Sequence, residues 1–286
     1  MKFRIVTDSS SNVLSIPHED YGCVPMKIVA GKEYVDAPGL NVAQMVEDLK
    51  GYKGKTGSSC PNVGEWLEAF GDAQYVFGIT ITKHLSGSYN AARQAAETYM
   101  EEHPDRRVYL FDSLAAGPEL MMIADKIRQC EAAGDDFDTT VAKVLDYHNH
   151  THTIFCLESM HNLAHNGRVP ITVAKIAGML GIRIVGEAQG GQIVAIHKPR
   201  GEKKAMLAMA QTIKERGFRD GGLIRITRCF ADDRMQEFMS KIREDFPHAR
   251  FIVEPTTALC SYYAEHGGYI VGFEGGFNVN NDNSKF

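Results

Sequence analysis

A turn of small polar residues, Ser86-Gly87-Ser88, is the part of the sequence with the most recognisable chemistry. It follows the apolar run Ile79–Thr82 and precedes apolar residues at helical spacing, so we predict a strand, a turn and a helix that starts near Ser88. A helix start presents N–H groups without acceptors and a partial positive charge, and the glycine lets a ligand approach the backbone. The turn therefore predicts either a site for a phosphate or carboxylate, or a serine that only caps the helix.

A second hydroxyl-rich segment, which we predict to be a loop, contains Ser58 and Ser59 and leads into another predicted helix. Asn62 and Glu65 have the spacing of a capping box at the start of that helix. Ligands of open α/β sheets bind at the carboxyl edge of the parallel strands, where two such segments can converge. We therefore expect one anion site formed by Ser58, Ser59, Ser86, Gly87, Ser88 and Asn90.

Composition limits the class of protein to which this chain can belong. The net charge of −5 and the lack of a basic stripe argue against a nucleic-acid partner. The six cysteines form no C-x-x-C pair, which is typical of a reducing cytoplasm and argues against a zinc cluster, and we expect neither a metal nor a cofactor. The N-terminus does not have the pattern of a signal peptide, and no apolar run approaches the ~18 residues of a membrane span. We therefore expect a cytoplasmic protein.

The order of predicted elements indicates an α/β fold with two domains. Strands and helices alternate in the first half of the chain, which is typical of right-handed βαβ units and a parallel sheet. The second half combines a hairpin with strand–helix–strand pairs, which favours an α+β layer with a mixed or antiparallel sheet covered on one face. At 286 residues the chain is long enough for two domains, and we predict them at 1–152 and 153–286.

Three local predictions concern the first domain and its end. Asp8, which ends the first predicted strand, is expected to organise the central loops by accepting backbone N–H bonds rather than to act in catalysis. Residues Cys23–Val29 and Lys32–Asp36 are expected to form a hairpin around Ala30-Gly31. The histidine-rich run His148–His152 is expected to end a helix on the solvated surface, with a weak adventitious zinc site as the alternative.

Four short blocks recur in a recognisable order and spacing over nearly the full length of the chain. They are Asp8-Ser9-Ser10, Ser58-Ser59-Cys60-Pro61 followed by Trp66, Leu85-Ser86-Gly87-Ser88-Tyr89, and Leu157 through Asn166-Gly167-Arg168-Val169. Taken together, these blocks make the chain resemble the DegV family of bacterial fatty-acid-binding proteins.

This resemblance implies a lipid carrier that is not an enzyme. Its first domain would be Rossmann-like, its second a smaller α/β unit, and a long-chain fatty acid would lie in an apolar tunnel between them. The carboxylate would be held by Ser58 and Ser86. The loaded carrier would present it to a separate fatty acid kinase, with Arg168 at the tunnel mouth or partner-facing surface. Transient contact with a membrane surface during lipid exchange is also expected.

The sequence departs from the family pattern at the head-group site. Asn166 replaces the first glycine of the family's Gly-Gly-Arg block. The family often carries a ligand-contacting histidine near the C-terminus, and either Glu265 or His266 falls on that position. We retain His266 as a candidate contact to the ligand head group.

Two other functions are the alternatives to a lipid carrier, a serine hydrolase of acyl esters and a nucleotide-binding protein. A serine hydrolase would need a Gly-x-Ser-x-Gly elbow, which the sequence lacks, and a general base for which His84 or His266 would be the candidates. A nucleotide-binding α/β protein would need Gly-x-Gly-x-x-Gly or a Walker loop, and neither occurs.

Overall fold

The structure is a computed structural model that describes residues 3–17, 20–177, 181–230 and 234–281. The chain forms two compact units. The first consists of Met1–Ala116, Leu120–His148 and Thr257–Leu259, and the second of Gly117–Glu119, Asn149–Thr256 and Cys260–Phe286. Among the described residues, no helix combines the length and apolar character needed to cross a bilayer.

The first part of the chain alternates strands with helices. Its strands are β1 (Phe3–Asp8), β2 (Tyr21–Val24), β3 (Lys27–Val29), β4 (Glu33–Val35), β5 (Gly57–Ser59), β6 (Tyr75–Thr80) and β7 (Arg107–Asp112). Its helices are α1 (Val42–Gly51), α2 (Val63–Phe70), α3 (Ser88–Glu102), α4 (Pro118–Ala132) and α5 (Phe137–His148).

A parallel sheet with strand order β2-β1-β6-β7 organises the first unit. Helices cover both of its faces because each presents one apolar stripe to the strands. On one face Leu120 and Ile127 of α4 pack with Phe77 of β6, and on the other Trp66 and Ala92 pack with the strands. The predicted parallel α/β arrangement is confirmed, and the carboxyl ends of β1 and β6 meet at one edge of the sheet.

A small antiparallel sheet with strand order β4-β3-β5 lies beside the parallel sheet in the same unit. The prediction of one strand over Cys23–Val29 is wrong, because β2 pairs with β1 while β3 pairs with β4 and β5. Pro25 separates β2 from β3, and a proline cannot donate a ladder hydrogen bond. The turn at Ala30-Gly31 does join β3 to β4, as expected, and Gly31 has a positive φ of 71°.

The second unit is built on a mixed sheet. Its strands are β8 (Thr151–Leu157), β9 (Ile184–Gln189), β10 (Gln192–His197), β11 (Leu223–Cys229), β12 (Arg250–Pro255) and β13 (Gly268–Glu274), and the helices of this part of the chain are α6 (His161–His165), α7 (Ile171–Ala177), α8 (Glu202–Glu215), α9 (Arg234–Asp245) and α10 (Ala258–Ala264). The strand order is β10-β9-β8-β13-β11-β12, with only the β11–β12 pair parallel. The mixed sheet predicted for this half is confirmed.

Apolar side chains of the second sheet are buried on both of its faces. On one face Ile154 and Val271 are fully buried beneath α8 and α9. On the opposite face Leu157 and Ile184 are buried, and Ile193 is partly buried. Both faces therefore belong to packed cores of this unit.

The histidine-rich run is not the solvated surface that the sequence predicts. His148 is 1% exposed, and its Nε2 lies 3.0 Å from the carbonyl oxygen of Ser113. His152 is also buried, and its Nε2 lies 2.9 Å from the carbonyl oxygen of Gly276. The predicted helix end is confirmed, because α5 ends at His148, but the predicted surface position is wrong, because β8 begins at Thr151 and the run turns back into a sheet.

Candidate functional site

Asp8 is the buried centre around which the candidate site is built. It ends β1, and it is 0% exposed. Its Oδ2 accepts hydrogen bonds from the Ile81 N–H (2.9 Å) and the Ser88 hydroxyl (2.7 Å), and its Oδ1 accepts from the N–H (3.2 Å) and hydroxyl of Ser10. Desolvation raises the pKa of Asp8, although these hydrogen bonds oppose the effect. Asp8 therefore organises the loops at this edge of the sheet, as the sequence suggests.

The turn before α3 has the predicted form. Gly87 is the N-cap residue of the helix, and it has no side chain that could accept a helical N–H. The Ser86 hydroxyl accepts from the Ser88 N–H (3.2 Å), and the first regular helical bond runs from Ala91 to the Gly87 carbonyl (3.1 Å). The N–H groups between these positions have no acceptor within the helix, as at any helix start. They carry the positive end of a helix that is 15 residues long.

The segment with Ser58 and Ser59 is strand β5 and not the loop that the sequence predicts. Ser58 lies opposite Ile28 in the ladder with β3. Ser58 is half-buried, and Ser59 is exposed. The segment is short and lies at the edge of its sheet, which is why its polar composition did not reveal a strand.

The two hydroxyl-bearing segments come together within the first unit. A Cβ atom built on Gly87 would lie 3.2 Å from the sulfur of Cys60, the residue directly after Ser59. This distance is tighter than most side-chain contacts, so a larger residue than glycine would push the turn away from β5. The convergence of the two segments, which the sequence predicts, is confirmed at this point.

The serines and Asn90 of the turn are placed differently from one another. Ser86 is half-buried, whereas Ser88 is fully buried and its hydroxyl donates a hydrogen bond to the Asp8 carboxylate. Asn90 is exposed, and its Oδ1 accepts from Arg93 (3.1 Å). The Ser88 hydroxyl therefore donates to a buried carboxylate, and the role of Ser88 as a ligand contact stays a prediction. Ser86 and the backbone of the turn remain available to a ligand.

The cations beside these segments are already paired with carboxylates. Lys27 Nζ lies 3.0 Å from Glu65, and Lys83 Nζ lies 3.7 Å from Asp112. Glu65 also completes the predicted capping box with Asn62 at the start of α2. An anion at the turn would therefore be held chiefly by hydroxyl and N–H dipoles.

Two cavities of the first unit lie away from these residues. One of about 260 Å³ is lined by aromatic side chains near the amino ends of β1 and β6, including Phe3, Tyr75 and Phe137. Another of about 480 Å³ opens between β4 and α1. Neither is lined by the serines of the candidate site, so the geometry of the donors, not cavity size, identifies the site.

Arg168 follows a helix end that explains one departure from the family pattern. The Arg168 N–H donates to the Leu163 carbonyl (2.8 Å) and the Gly167 N–H to the Ala164 carbonyl (3.0 Å), which is the Schellman arrangement at the end of α6. Gly167 has the positive φ of 74° that this arrangement requires. Asn166 has a φ of −97°, so its position needs no glycine. The Arg168 guanidinium lies over the Tyr263 ring, 5.8 Å from its centroid.

His266 and Glu265 have different surroundings in the second unit. His266 is exposed and stacks with Phe230 at a centroid distance of 6.5 Å. Glu265 adopts a left-handed backbone with a φ of 55°, and its Oε1 accepts from the Asn162 N–H (3.0 Å). The Glu265 carboxylate is thus held by a hydrogen bond within its own unit, whereas the His266 imidazole is exposed. The role of His266 as a ligand contact stays a prediction.

The surroundings of Ser86 do not assemble a catalytic pair. Among the described residues, no hydrogen bond joins the Ser86 hydroxyl to an imidazole, and its contact is the Ser88 N–H. His84 is exposed on the preceding turn. A nucleophilic serine needs a base within hydrogen-bond reach, so this geometry favours a binding role.

Asp36 is a second buried carboxylate that the sequence did not single out. It accepts from the N–H groups of Ala258 (2.8 Å) and Leu259 (3.0 Å) and from the hydroxyl of Thr257 (3.0 Å). These partners lie more than 200 positions away in the sequence, so no local pattern could have revealed them. The sequence likewise marks Cys60 only as a member of a four-residue block and does not reveal that it lies next to Gly87.

Known proteins resemble this chain over almost its whole length. A family model described as an uncharacterised protein of the DegV family matches residues 2–274. A DegV domain-containing protein from Streptococcus gordonii is 35% identical over 280 residues, which are 96% of this chain and 99% of that protein.

Two solved structures are similar in both sequence and fold. One is a DegV family protein from Eubacterium eligens loaded with heptadecanoic acid, with 34% identity and a TM-score of 0.92 over 96% of this chain and 99% of that one. The other is the Streptococcus pneumoniae Fatty Acid Kinase (Fak) B3 protein loaded with linoleic acid, with 34% identity and a TM-score of 0.93 over the same shares.

Proposed function

Because the chain belongs to the DegV family, we propose that it is a non-catalytic carrier of long-chain fatty acids. Both solved relatives described above hold such an acid. The proposal applies their ligand class to this chain. It assigns the carboxylate to the first unit, between the Ser86 turn and the Ser58 segment.

The observation that carries the proposal is the approach of Gly87 to Cys60, which brings a helix start and a hydroxyl-bearing strand together. A fatty acid carboxylate accepts several hydrogen bonds and donates none. The Ser86 hydroxyl and the free N–H groups at the start of α3 are donors of the required kind. Charge-assisted bonds from such donors offset the cost of removing a carboxylate from water.

The hydrocarbon tail needs an apolar surface from which water is excluded. Burial of each CH₂ contributes about 0.8 kcal/mol, so a tail of about 16 carbons contributes on the order of 10 kcal/mol before association costs. The tunnel between two domains, which the family resemblance implies, stays a prediction.

We further propose that the loaded protein presents its acid to a separate kinase subunit. This part rests on the name of one relative, a Fatty Acid Kinase (Fak) B3 protein. Arg168 is proposed to take part in partner docking or in the charge balance of the head group, and His266 in head-group contact. A cytoplasmic location and transient membrane contact during lipid exchange belong to the same proposal.

Replacement of Ser86 by alanine tests the head-group assignment. The variant should bind palmitate about tenfold or more weakly, because a hydrogen bond to a charged group contributes roughly 1.5–3 kcal/mol. Its free energy of unfolding should fall by no more than about 1 kcal/mol, the usual loss for a capping hydroxyl. Titration of delipidated protein measures the first quantity, and urea unfolding measures the second.

Ser15→Ala is the matched control, since Ser15 is an exposed serine of the same unit outside the site. It should bind palmitate like the wild type. Equal palmitate affinity in Ser86→Ala and Ser15→Ala would contradict the head-group assignment.

A further inference from the structure

We propose that Asp8 is the positioning residue of the head-group turn and that it gives the two serines of the turn different tasks. In this assignment Ser88 ties the turn to Asp8, and Ser86 meets the ligand. The inference rests on the proposed function, and it adds the reason why the site selects a carboxylate over a neutral head group of the same tail.

The hydrogen-bond inventory of Asp8 supports this role. An ionised carboxylate has about four acceptor positions and no proton to donate. Asp8 fills them with two backbone N–H groups, from Ile81 and Ser10, and with two hydroxyls, from Ser88 and Ser10. Each of these bonds is buried. The carboxylate thus joins the residue after β6 to the start of α3 at one point.

The direction of each hydrogen bond along the turn follows from this arrangement. Because Asp8 only accepts, the Ser88 hydroxyl must point its proton at Asp8. The Ser88 N–H donates to the Ser86 oxygen, so the Ser86 proton does not point back along the turn. The Ser86 proton therefore points away from Ser88, in the same sense as the unpaired N–H groups of α3. Donors dominate what the turn offers to a ligand.

A ligand with only acceptors suits such a turn better than one that carries its own proton. An ionised fatty acid can accept from Ser86 and from the helix start at the same time. A fatty alcohol of the same length would bury the same tail but bring a donor to a site rich in donors, which leaves polar groups unpaired. Loss of the correct turn geometry should therefore weaken binding of the acid much more than binding of the alcohol.

Substitution by asparagine is the sharpest way to disturb Asp8 while keeping its shape. In either orientation the amide NH₂ of Asp8→Asn would face a backbone N–H, that of Ile81 or that of Ser10. Such a donor-to-donor contact displaces the turn. Ser88→Ala disturbs the turn less, because it removes only the hydroxyl that donates to Asp8. Ser88→Thr keeps the hydroxyl.

The experiment compares palmitate with 1-hexadecanol in wild type, Asp8→Asn, Ser88→Ala and Ser88→Thr. The two ligands compete against a fluorescent fatty acid on delipidated protein, at a temperature where circular dichroism shows each variant folded. Asp8→Asn and Ser88→Ala should lower the acid-to-alcohol affinity ratio by about tenfold, the usual weight of one hydrogen bond to a charged group. Ser88→Thr should keep the wild-type ratio.

The ratio separates positioning from mere support of the fold. If Asp8 and Ser88 only stabilised the unit, both ligands would weaken together and the ratio would stay constant, which would overturn the inference. The same unchanged ratio, in variants that still bind palmitate, would leave the carrier function intact. Failure of the wild type to bind palmitate at all would overturn the carrier function itself. If Asp8→Asn does not fold, the Ser88→Ala and Ser88→Thr pair decides the question.

Discussion

Two helix starts in the first unit meet a carboxylate in opposite ways. At α10 the protein supplies its own anion, since Asp36 accepts the N–H groups of Ala258 and Leu259. At α3 the nearby Asp8 accepts the Ser88 hydroxyl instead, and no carboxylate of the described residues accepts the first N–H groups of the helix. The first helix start is closed by the protein, and the second, the open terminus, is the one that we propose to bind an anion from outside.

Under the proposed function, the difference means that an external anion binds at the helix start that has no carboxylate cap. Both carboxylates are buried, and desolvation raises the pKa of each. What separates them is the atom that meets the helix, a backbone N–H for Asp36 and a side-chain hydroxyl for Asp8. α10 is in this sense an internal example of the contact that we propose for α3 and a fatty acid.

The largest expected effect comes from opening the closed terminus. Asp36→Ala would leave two buried N–H groups and the Thr257 hydroxyl without their acceptor. Each such loss costs roughly 1–3 kcal/mol, so the free energy of unfolding should fall by about 3 kcal/mol or more. Urea unfolding of delipidated protein measures the change. A loss below that of the exposed control Ser15→Ala would show that Asp36 is no cap.

The next effect comes from closing the open terminus. Ser86→Asp would place a carboxylate where it can accept the Ser88 N–H, as Asp36 does at α10. A like charge near the ligand carboxylate is strongly unfavourable, so palmitate affinity should fall about a hundredfold or more. Competitive binding measures the loss. Ser86→Asn, of similar size but neutral, should lose clearly less; equal losses in the two variants would argue against an anion at this terminus.

A smaller effect is expected where the turn approaches β5. Gly87 has a φ of −74°, so alanine is allowed by the backbone and meets only the Cys60 sulfur. Gly87→Ala should weaken palmitate binding by roughly fivefold, because overpacking of a tight contact costs about 1 kcal/mol. Adding Cys60→Ala should restore most of the affinity. A double-mutant cycle with no coupling would show that the two segments do not meet around the ligand.

The smallest effect concerns the pH dependence of stability at the closed terminus. Burial raises the pKa of Asp36 above its ordinary 3.8, so the folded protein holds that proton more tightly than the unfolded chain. The resulting stability is fully present below pH 3.8 and is lost as pH rises through the raised value. The free energy of unfolding of wild type, relative to Asp36→Asn, should therefore fall as the pH rises above about 4. A difference that grows with pH would reverse the sign and refute this description of Asp36.

Local patterns in the sequence were sufficient to predict one of these termini. The helix start at Ser88, the parallel sheet and the capping box at Asn62 follow from spacing within a few residues. The organising role of Asp8 could be predicted because Asp8 ends an apolar strand. These features are local in sequence, so periodicity and turn chemistry are enough to place them.

The features that the sequence missed depend on contacts between distant residues. Asp36 finds its partners more than 200 positions away, and no motif marks it. Ser88 is predicted as a ligand contact because nothing near it in the sequence reveals that its hydroxyl donates to Asp8, 80 positions earlier. His148 was expected in solvent, but strand β8 turns the chain back into the protein and buries it.

The most direct test of the central claim is to identify what the purified protein carries. Protein purified from cells under native conditions would be denatured, extracted with organic solvent and examined by mass spectrometry, with Ser86→Ala and Ser15→Ala prepared in parallel. The carrier predicts free long-chain fatty acids in wild type and in Ser15→Ala, with much less in Ser86→Ala. An extract without fatty acids, or equal amounts from all three proteins, would contradict a carboxylate site at the start of α3.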